Sequence, residues 1–401
     1  MARVVEPSVV YVLPDKMGGV LNVTSNVLKY RRPDGFNHVA VLTHNSLSTD
    51  ERFNGRLEAD AQKVVEYSLP VENFHTVLNR LHRAIPEGQG VLVANDLLEL
   101  AYASAFDCGR AVIQIVHGDY DYYYDLAERH QNVIDAFVVA GRTLERTLKA
   151  RLPDRAKDVY RLPYGVPLPA GKASASRPGD AETLRVLFVG RLHRDKGIFD
   201  LPLIDRALSD RGITAAWSLV GTGSDEADLR SAWNGRNITY LGRRPHAEIP
   251  AIAAEHDVFV LPSRYEGFPL ALLEAMSVGL VPIATRLDSG IAETIAEGES
   301  GFLCAAGDIS GFADAIAVLA RDGQRLASMG EHARQHIAHH HDLHACTHAY
   351  QALFARYAEL RRPRPAHVPV PYGTRLDRKW IPNIAVRTVR GIIRRAQGRT
   401  M

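Results

Sequence analysis

Short apolar runs alternate with helical stretches along nearly the whole chain, and that alternation limits the folds open to it. Runs at 9–13, 39–42, 91–94, 112–116 and 137–139 read as strands of one parallel sheet. Runs at 186–189, 217–220, 238–241, 258–261 and 281–284 read as strands of another. Most are nearly continuous in apolar residues, as strands covered on both faces by helices must be. The expected fold class is α/β: two Rossmann-like, doubly wound domains facing a central cleft. Residues 163–179 are rich in Pro, Gly and Ser, which places a linker at 169–183 between domains at 1–168 and 184–345. From about 308 onward the pattern is helical.

A chain of 401 residues fits two domains. Hydrophobic residues make up 46% of it, yet no stretch reaches the roughly 18–20 apolar residues that would cross a bilayer. The N-terminus lacks a basic region followed by an apolar core, which leads to the expectation of a cytoplasmic protein. Cys108, Cys304 and Cys346 are odd in number and without metal-ligand spacing, so buried reduced thiols are expected. Seven histidines fall between His332 and His348, but without an acidic partner or Cys they read as a packed or solvated helix, and no metal site is expected.

Charge is segregated. Residues 361–401 hold eleven Arg or Lys against one acid, Asp377, a balance of +10; the whole-chain net of +2 leaves −8 for the other 360 residues. After Pro382, Ile384, Val389, Ile392 and Ile393 fall on one face of a short helix with Arg387, Arg390, Arg394 and Arg395 around it. A basic amphipathic helix of this kind is a membrane-surface element. Two partners stay open for 384–399: an anionic membrane surface and the acidic remainder of the protein. Nucleic acid is not expected, because no recognisable motif accompanies the charge.

The segment Arg264-Tyr-Glu-Gly-Phe-Pro-Leu-Ala-Leu-Leu-Glu274 follows the apolar run 258–261. Pro269 suits the first helical position, and good helix formers follow. The segment reads as strand, glycine loop and helix N-terminus, where free backbone N–H groups favour an anion such as phosphate. Phosphate repels carboxylates, so Glu266 and Glu274 are better placed to accept hydrogen bonds from sugar hydroxyls. Arg191 and Lys196 flank the turn after 186–189 and supply cations of the kind a diphosphate needs. Gly18 and Gly19 follow the first strand, and His117 ends the run Val112-Ile-Gln-Ile-Val116. Gly221-Thr-Gly-Ser-Asp-Glu226 starts like a dinucleotide fingerprint, but Glu226 stands where a third glycine belongs. Gly171-Lys172 lacks the spacing of a P-loop.

Four pieces in sequence order carry a resemblance: Val189-Gly-Arg-Leu-His-Arg-Asp-Lys-Gly197, Leu219-Val-Gly-Thr-Gly-Ser224, Asn237-Ile-Thr-Tyr-Leu-Gly242, and Glu266-Gly-Phe-Pro-Leu with Glu274 eight positions after the first Glu. Together they resemble the retaining glycosyltransferases of family 4, which have the GT-B fold. The resemblance is strong over 184–305 and looser over the rest of 8–355. It implies an N-terminal acceptor-binding domain, a C-terminal nucleotide-sugar-binding domain, and a helix near 346–360 crossing back to the first. It implies transfer of a sugar from a nucleotide-diphosphate sugar to a glycan or lipid-linked acceptor with retention, without a metal or other cofactor. Glu266, His117, Arg191 and Lys196 would be catalytic. Gly18, Gly19, Gly221, Gly267, Phe268, Pro269, Leu270 and Glu274 would join Arg191 and Lys196 on the donor. Asp119 and Tyr120 would face the acceptor. Cell-surface polysaccharide or glycolipid assembly is the expected setting. The alternatives are an epimerase or phosphorylase of the same fold, a two-carboxylate hydrolase, and a non-catalytic sugar-nucleotide or membrane-binding module. The base, the sugar and the acceptor are not encoded in any motif.

Overall fold

A computed structural model describes residues 6–49, 51–169, 183–365 and 373–396. The chain forms two compact units. One comprises Met1–Val139, Glu145–Leu162 and Thr347–Met401; the other comprises Ala140–Leu144 and Pro163–Cys346.

The first unit is built on a seven-stranded parallel sheet: β1 (Ser8–Pro14), β2 (Asn37–Asn45), β3 (Ala61–Tyr67), β4 (Gly90–Ala94), β5 (Ala111–Val116), β6 (Ala136–Val139) and β7 (Val159–Arg161), in the order β3-β2-β1-β4-β5-β6-β7. The second unit has six parallel strands: β8 (Thr183–Val189), β9 (Thr214–Val220), β10 (Ile238–Gly242), β11 (Val258–Leu261), β12 (Val281–Thr285) and β13 (Phe302–Cys304), in the order β10-β9-β8-β11-β12-β13. Strand order reverses between β1 and β4 and between β8 and β11. Doubly wound sheets bind ligands at the carboxyl ends of the strands beside such a reversal.

All ten apolar runs are strands. The sequence reading missed β3, β7 and β13, which lie at sheet edges. In β3, Lys63, Val64 and Glu66 are exposed, so its sequence Ala-Gln-Lys-Val-Val-Glu-Tyr lacks the apolar run of an interior strand. The other two are three residues long. The domain boundary also differs from the expected one. Most of the linker at 169–183 lies outside the described residues, but the second unit already begins at Pro163. The Tyr164 carbonyl accepts a hydrogen bond from His341 Nδ1 at 2.8 Å, and a Cβ on Gly165 would stand 2.7 Å from the Leu343 backbone.

The chain re-enters the first unit at Thr347, inside the helix Leu343–Ala355. Tyr350, Leu353, Phe354 and Leu360 join the same buried cluster as Val9, Tyr11 and Val91, and Gln351 Nε2 donates to the Arg32 carbonyl at 2.7 Å. The residues from Thr347 on thus belong to the first unit. The tail also belongs to the first unit. Its residues 373–396 are tied there by Asn73, whose N–H donates to Asn383 Oδ1 at 2.8 Å, and by Asp377, which accepts from Phe74 N–H at 2.8 Å.

In the second unit one carboxylate organises three elements. Asp205 accepts from Trp217 Nε1 at 2.7 Å, Trp233 Nε1 at 3.1 Å and Asn237 Nδ2 at 3.0 Å. Both indoles are buried, with rings edge-to-face at 5.3 Å. Removing the acceptor strands two buried N–H donors. Asp205→Ala should lower unfolding free energy by about 2–4 kcal/mol, read from urea midpoints at unchanged m-value. A loss below about 0.5 kcal/mol would show the hub is not needed.

Candidate active site

In the second unit the candidate side chains gather where strand order reverses. Arg191 follows β8, and Lys196 ends the short turn Arg194–Lys196 behind it. Ser263 and Glu266 follow the neighbouring β11. Lys196 Nζ donates to Glu266 Oε1 at 2.7 Å, and Ser263 Oγ donates to the same oxygen at 2.7 Å. Both charged side chains are largely buried, at 17% and 9% exposure, so the pair is far less screened than a surface ion pair. Arg191 is exposed and forms no salt bridge among the described residues. Arg264, beside the motif, is held by Asp200 at 2.8 Å.

Glu274 sits on the buried side of the helix Leu270–Ser277, with the residue 4% exposed. Its Oε1 has no hydrogen-bond donor among the described residues. His246 Nε2 lies 3.2 Å from that oxygen but is not aligned as a hydrogen bond. Burial pushes the Glu274 carboxyl up to about 8, and burial also lowers His246. A buried carboxylate left short of donors can accept hydrogen bonds from a ligand.

The loop before this helix differs from the sequence reading in one respect. The helix begins at Leu270, and Pro269 is its cap rather than its first residue. The Phe268 side chain is buried against Tyr164 and His341, with ring centroids at 5.9 and 5.5 Å, so only its backbone can face a ligand. The N–H groups of Phe268, Leu270 and Ala271 have no protein acceptor among the described residues, whereas the Gly267 carbonyl is taken by Gly290 N–H at 2.9 Å. Gly221 has a backbone reason to be glycine: at φ 133° any Cβ would stand 1.9 Å from the Gly190 carbonyl oxygen.

In the first unit a second group occupies the β1/β4 reversal and the neighbouring end of β5. Gly18, at φ 153°, precedes the helix Gly19–Tyr30, and a Cβ on either Gly18 or Gly19 would meet open space. Asn95 follows β4 and donates from Nδ2 to the Val12 carbonyl of β1 at 2.8 Å, which fixes its amide. Its Oδ1 then accepts from His117 Nε2 at 2.8 Å. Burial holds the His117 imidazolium pKa down to about 3, so the ring is neutral, with its proton on Nε2 and its lone pair on Nδ1. Asp119 takes the hydroxyl of Tyr124. Tyr120 caps the helix Asp121–His130 and is exposed, as is Tyr122, whose hydroxyl donates to Asp96.

Sequence reasoning missed Asn95, Glu99, Ser263 and His246. The first two carry a readable signal: Asn95-Asp96-Leu-Leu-Glu99 after an apolar run is a helix-start pattern. Asp96 caps the helix Leu97–Ala105, and Glu99 accepts the Asn95 N–H at 3.3 Å, so this buried carboxyl, pushed up to about 8 by burial, has a capping role. His246 lies in the loop after β10, where no pattern marks it.

Two parallel doubly wound sheets with a C-terminal return to the first unit define the GT-B class of folds. The crystal structure of HepE from Anabaena, in complex with UDP and glucose, agrees: TM-score 0.67, 19% identity, covering 86% of this chain and 98% of that one. Residues 183–322 match the family model described as glycosyl transferases group 1. Glycogen synthase of Mycobacterium tuberculosis (strain CDC 1551 / Oshkosh) is 30% identical over 217 residues, 52% of this chain and 49% of that protein. The amylovoran biosynthesis glycosyltransferase AmsK of Erwinia amylovora is 35% identical over 158 residues, 37% of this chain and 38% of that protein. The matches thus span less than half the length of these relatives.

The buried carboxyl of Glu274 makes stability depend on pH. Its folded pKa of about 8 exceeds the ordinary 4.5, so the folded protein holds a proton that the unfolded chain releases. This contribution is full below the ordinary value and is lost as pH climbs through 8. Glu274→Gln should therefore gain stability relative to wild type between pH 5 and pH 9, measured by urea midpoints. A pH-independent difference would mean that Glu274 is already ionised in the folded state.

Proposed function

We propose that this chain is a retaining glycosyltransferase of family 4, moving a sugar from a nucleotide-diphosphate sugar to a glycan or lipid-linked acceptor in cell-surface polysaccharide or glycolipid assembly. The observation that carries this reading is the set of unlike charges beside the β8/β11 reversal: a free cation at Arg191, a carboxylate–ammonium pair at Glu266 and Lys196, and a buried carboxyl at Glu274 short of donors.

Arg191 and Lys196 would hold the diphosphate and offset the charge that grows on it as the glycosidic bond breaks. Glu266, fixed by Lys196 and Ser263, would accept hydroxyls of the transferred sugar and stabilise positive charge at the anomeric carbon. Glu274 would accept the ribose hydroxyls. The bare N–H groups of Phe268, Leu270 and Ala271 suit the phosphate or sugar oxygens. Open space over Gly18 and Gly19 admits a ligand backbone-close. In the first unit, His117 with Asp119 and Tyr120 would orient the acceptor.

In the reaction, the bond from the anomeric carbon to the β-phosphate oxygen breaks while the acceptor oxygen bonds to the same face of that carbon. The acceptor proton passes to the leaving phosphate oxygen. Glu266 acts as positioner and electrostatic partner, without forming a covalent bond. Arg191 and Lys196 would neutralise the charge on the leaving diphosphate, so we propose that no metal is needed. HepE was solved with UDP, which makes uridine diphosphate sugars the first donors to test. A lipid-linked acceptor would bring the protein to an anionic bilayer surface, its second proposed partner; no helix among the described residues is long and apolar enough to cross a membrane.

Lys196→Ala and Glu266→Gln should each lower kcat/KM by about 100-fold or more, with circular dichroism unchanged. The wild-type product should keep the donor's anomeric configuration by NMR, and EDTA should leave the rate intact. Nucleoside diphosphate release that survives both substitutions together would overturn the site assignment; an inverted product would overturn the mechanism.

A further inference from the structure

The tail is held in place by one face and leaves the opposite face bare. Its helix, Asn383–Ala396, turns Asn383, Val386 and Arg390 toward the rest of the first unit. Val386 is fully buried. Arg390 bonds to the Glu72 carbonyl at 2.5 Å and to Asp377 Oδ2 at 2.5 Å. Asn73 Nδ2 donates to the Arg378 and Ile381 carbonyls at 3.1 and 3.0 Å, and so fixes the turn that leads into the helix. Asp377, the tail's one acid, is thereby buried and consumed by its contacts.

On the other side of the helix stand Ile384 and Ile392, with Val389 and Ile393 exposed along its flank and Trp380 preceding it. Trp380 is 79% exposed, Ile384 78% and Ile392 63%, higher than any other large hydrophobic residue exposed among the described residues. Arg375, Arg378, Lys379 and Arg387 are exposed around them and make no salt bridge among the described residues. A face that combines bare Trp and Ile with unpaired cations and offers no acid is matched by a surface that is apolar below and anionic above. That surface is a bilayer of acidic lipids: Trp suits the headgroup level, Ile the acyl boundary, and the cations the phosphates.

We infer that the helix Asn383–Ala396 with the turn at Trp380 is a bilayer-contact face fixed on the first unit, specific for anionic lipid. The docked side sets its orientation, so the helix lies along the membrane instead of trailing as a tether. This inference is independent of the donor site, because binding to lipid is read without turnover.

The test is co-sedimentation of the full chain with vesicles of phosphatidylglycerol and phosphatidylcholine, beside vesicles of phosphatidylcholine alone, at two salt concentrations. Binding is expected only with the anionic vesicles and should weaken as salt rises. Replacing Ile384 and Ile392 together by Glu should reduce partitioning at least tenfold, and replacing Lys379 and Arg387 by Gln should reduce it about fivefold per cation. These side chains are exposed, so melting temperature should not move, which separates lost contact from lost folding. Equal binding to both vesicle types, binding untouched by the Ile substitutions, or a chain that never sediments with lipid would each overturn the inference. So would a concentration-dependent dimer abolished by the Ile substitutions, which would assign the face to a second copy.

Discussion

Parallel strands send every following loop to the same edge of the sheet, and a reversal of strand order opens that edge between two neighbours. The β8/β11 junction is such a place. It brings Lys196 and Glu266, seventy positions apart in sequence, to 2.7 Å. It also dictates the glycines, because Gly221 passes the Gly190 backbone at a distance no side chain tolerates. The β1/β4 reversal repeats the arrangement in the first unit, where Asn95 spans from the end of β4 to β1 and fixes His117 in one tautomer. The chemistry proposed for this protein depends on these two junctions more than on any single residue.

The carboxyls beside them have unlike environments, and that decides what each can do. Glu266 has one oxygen taken by an ammonium and a hydroxyl. Glu274 has an unaligned histidine for company and is pushed up by burial. Glu99 shares the raised value but spends its oxygens on a helix start. A perturbed carboxyl is thus a functional candidate only where its acceptor capacity is left over.

Much of this was legible in the sequence because the interior strands are apolar runs and the motifs directly follow them. What escaped has physical reasons. Edge strands such as β3 carry exposed polar residues, so they lack the signature of burial. The passage between units falls at Pro163, ahead of the Ser- and Ala-rich stretch, because Tyr164 and Gly165 already pack on His341 and Leu343. His246 reaches Glu274 from a loop with no periodicity. Of the basic tail, one face docks on the first unit through Val386 and Arg390, while Ile384 and Ile392 stay exposed.

In the proposed function, the charged group at β8/β11 grips a nucleotide-diphosphate sugar. The most direct measurement is the melting temperature of the full chain against UDP-, GDP- and ADP-sugars, since a ligand that binds only the folded state raises it. A saturable rise is expected with one nucleotide class, lost in Arg191→Ala and absent with the free sugar. No rise with any donor, or a rise that Arg191→Ala leaves unchanged, would contradict it.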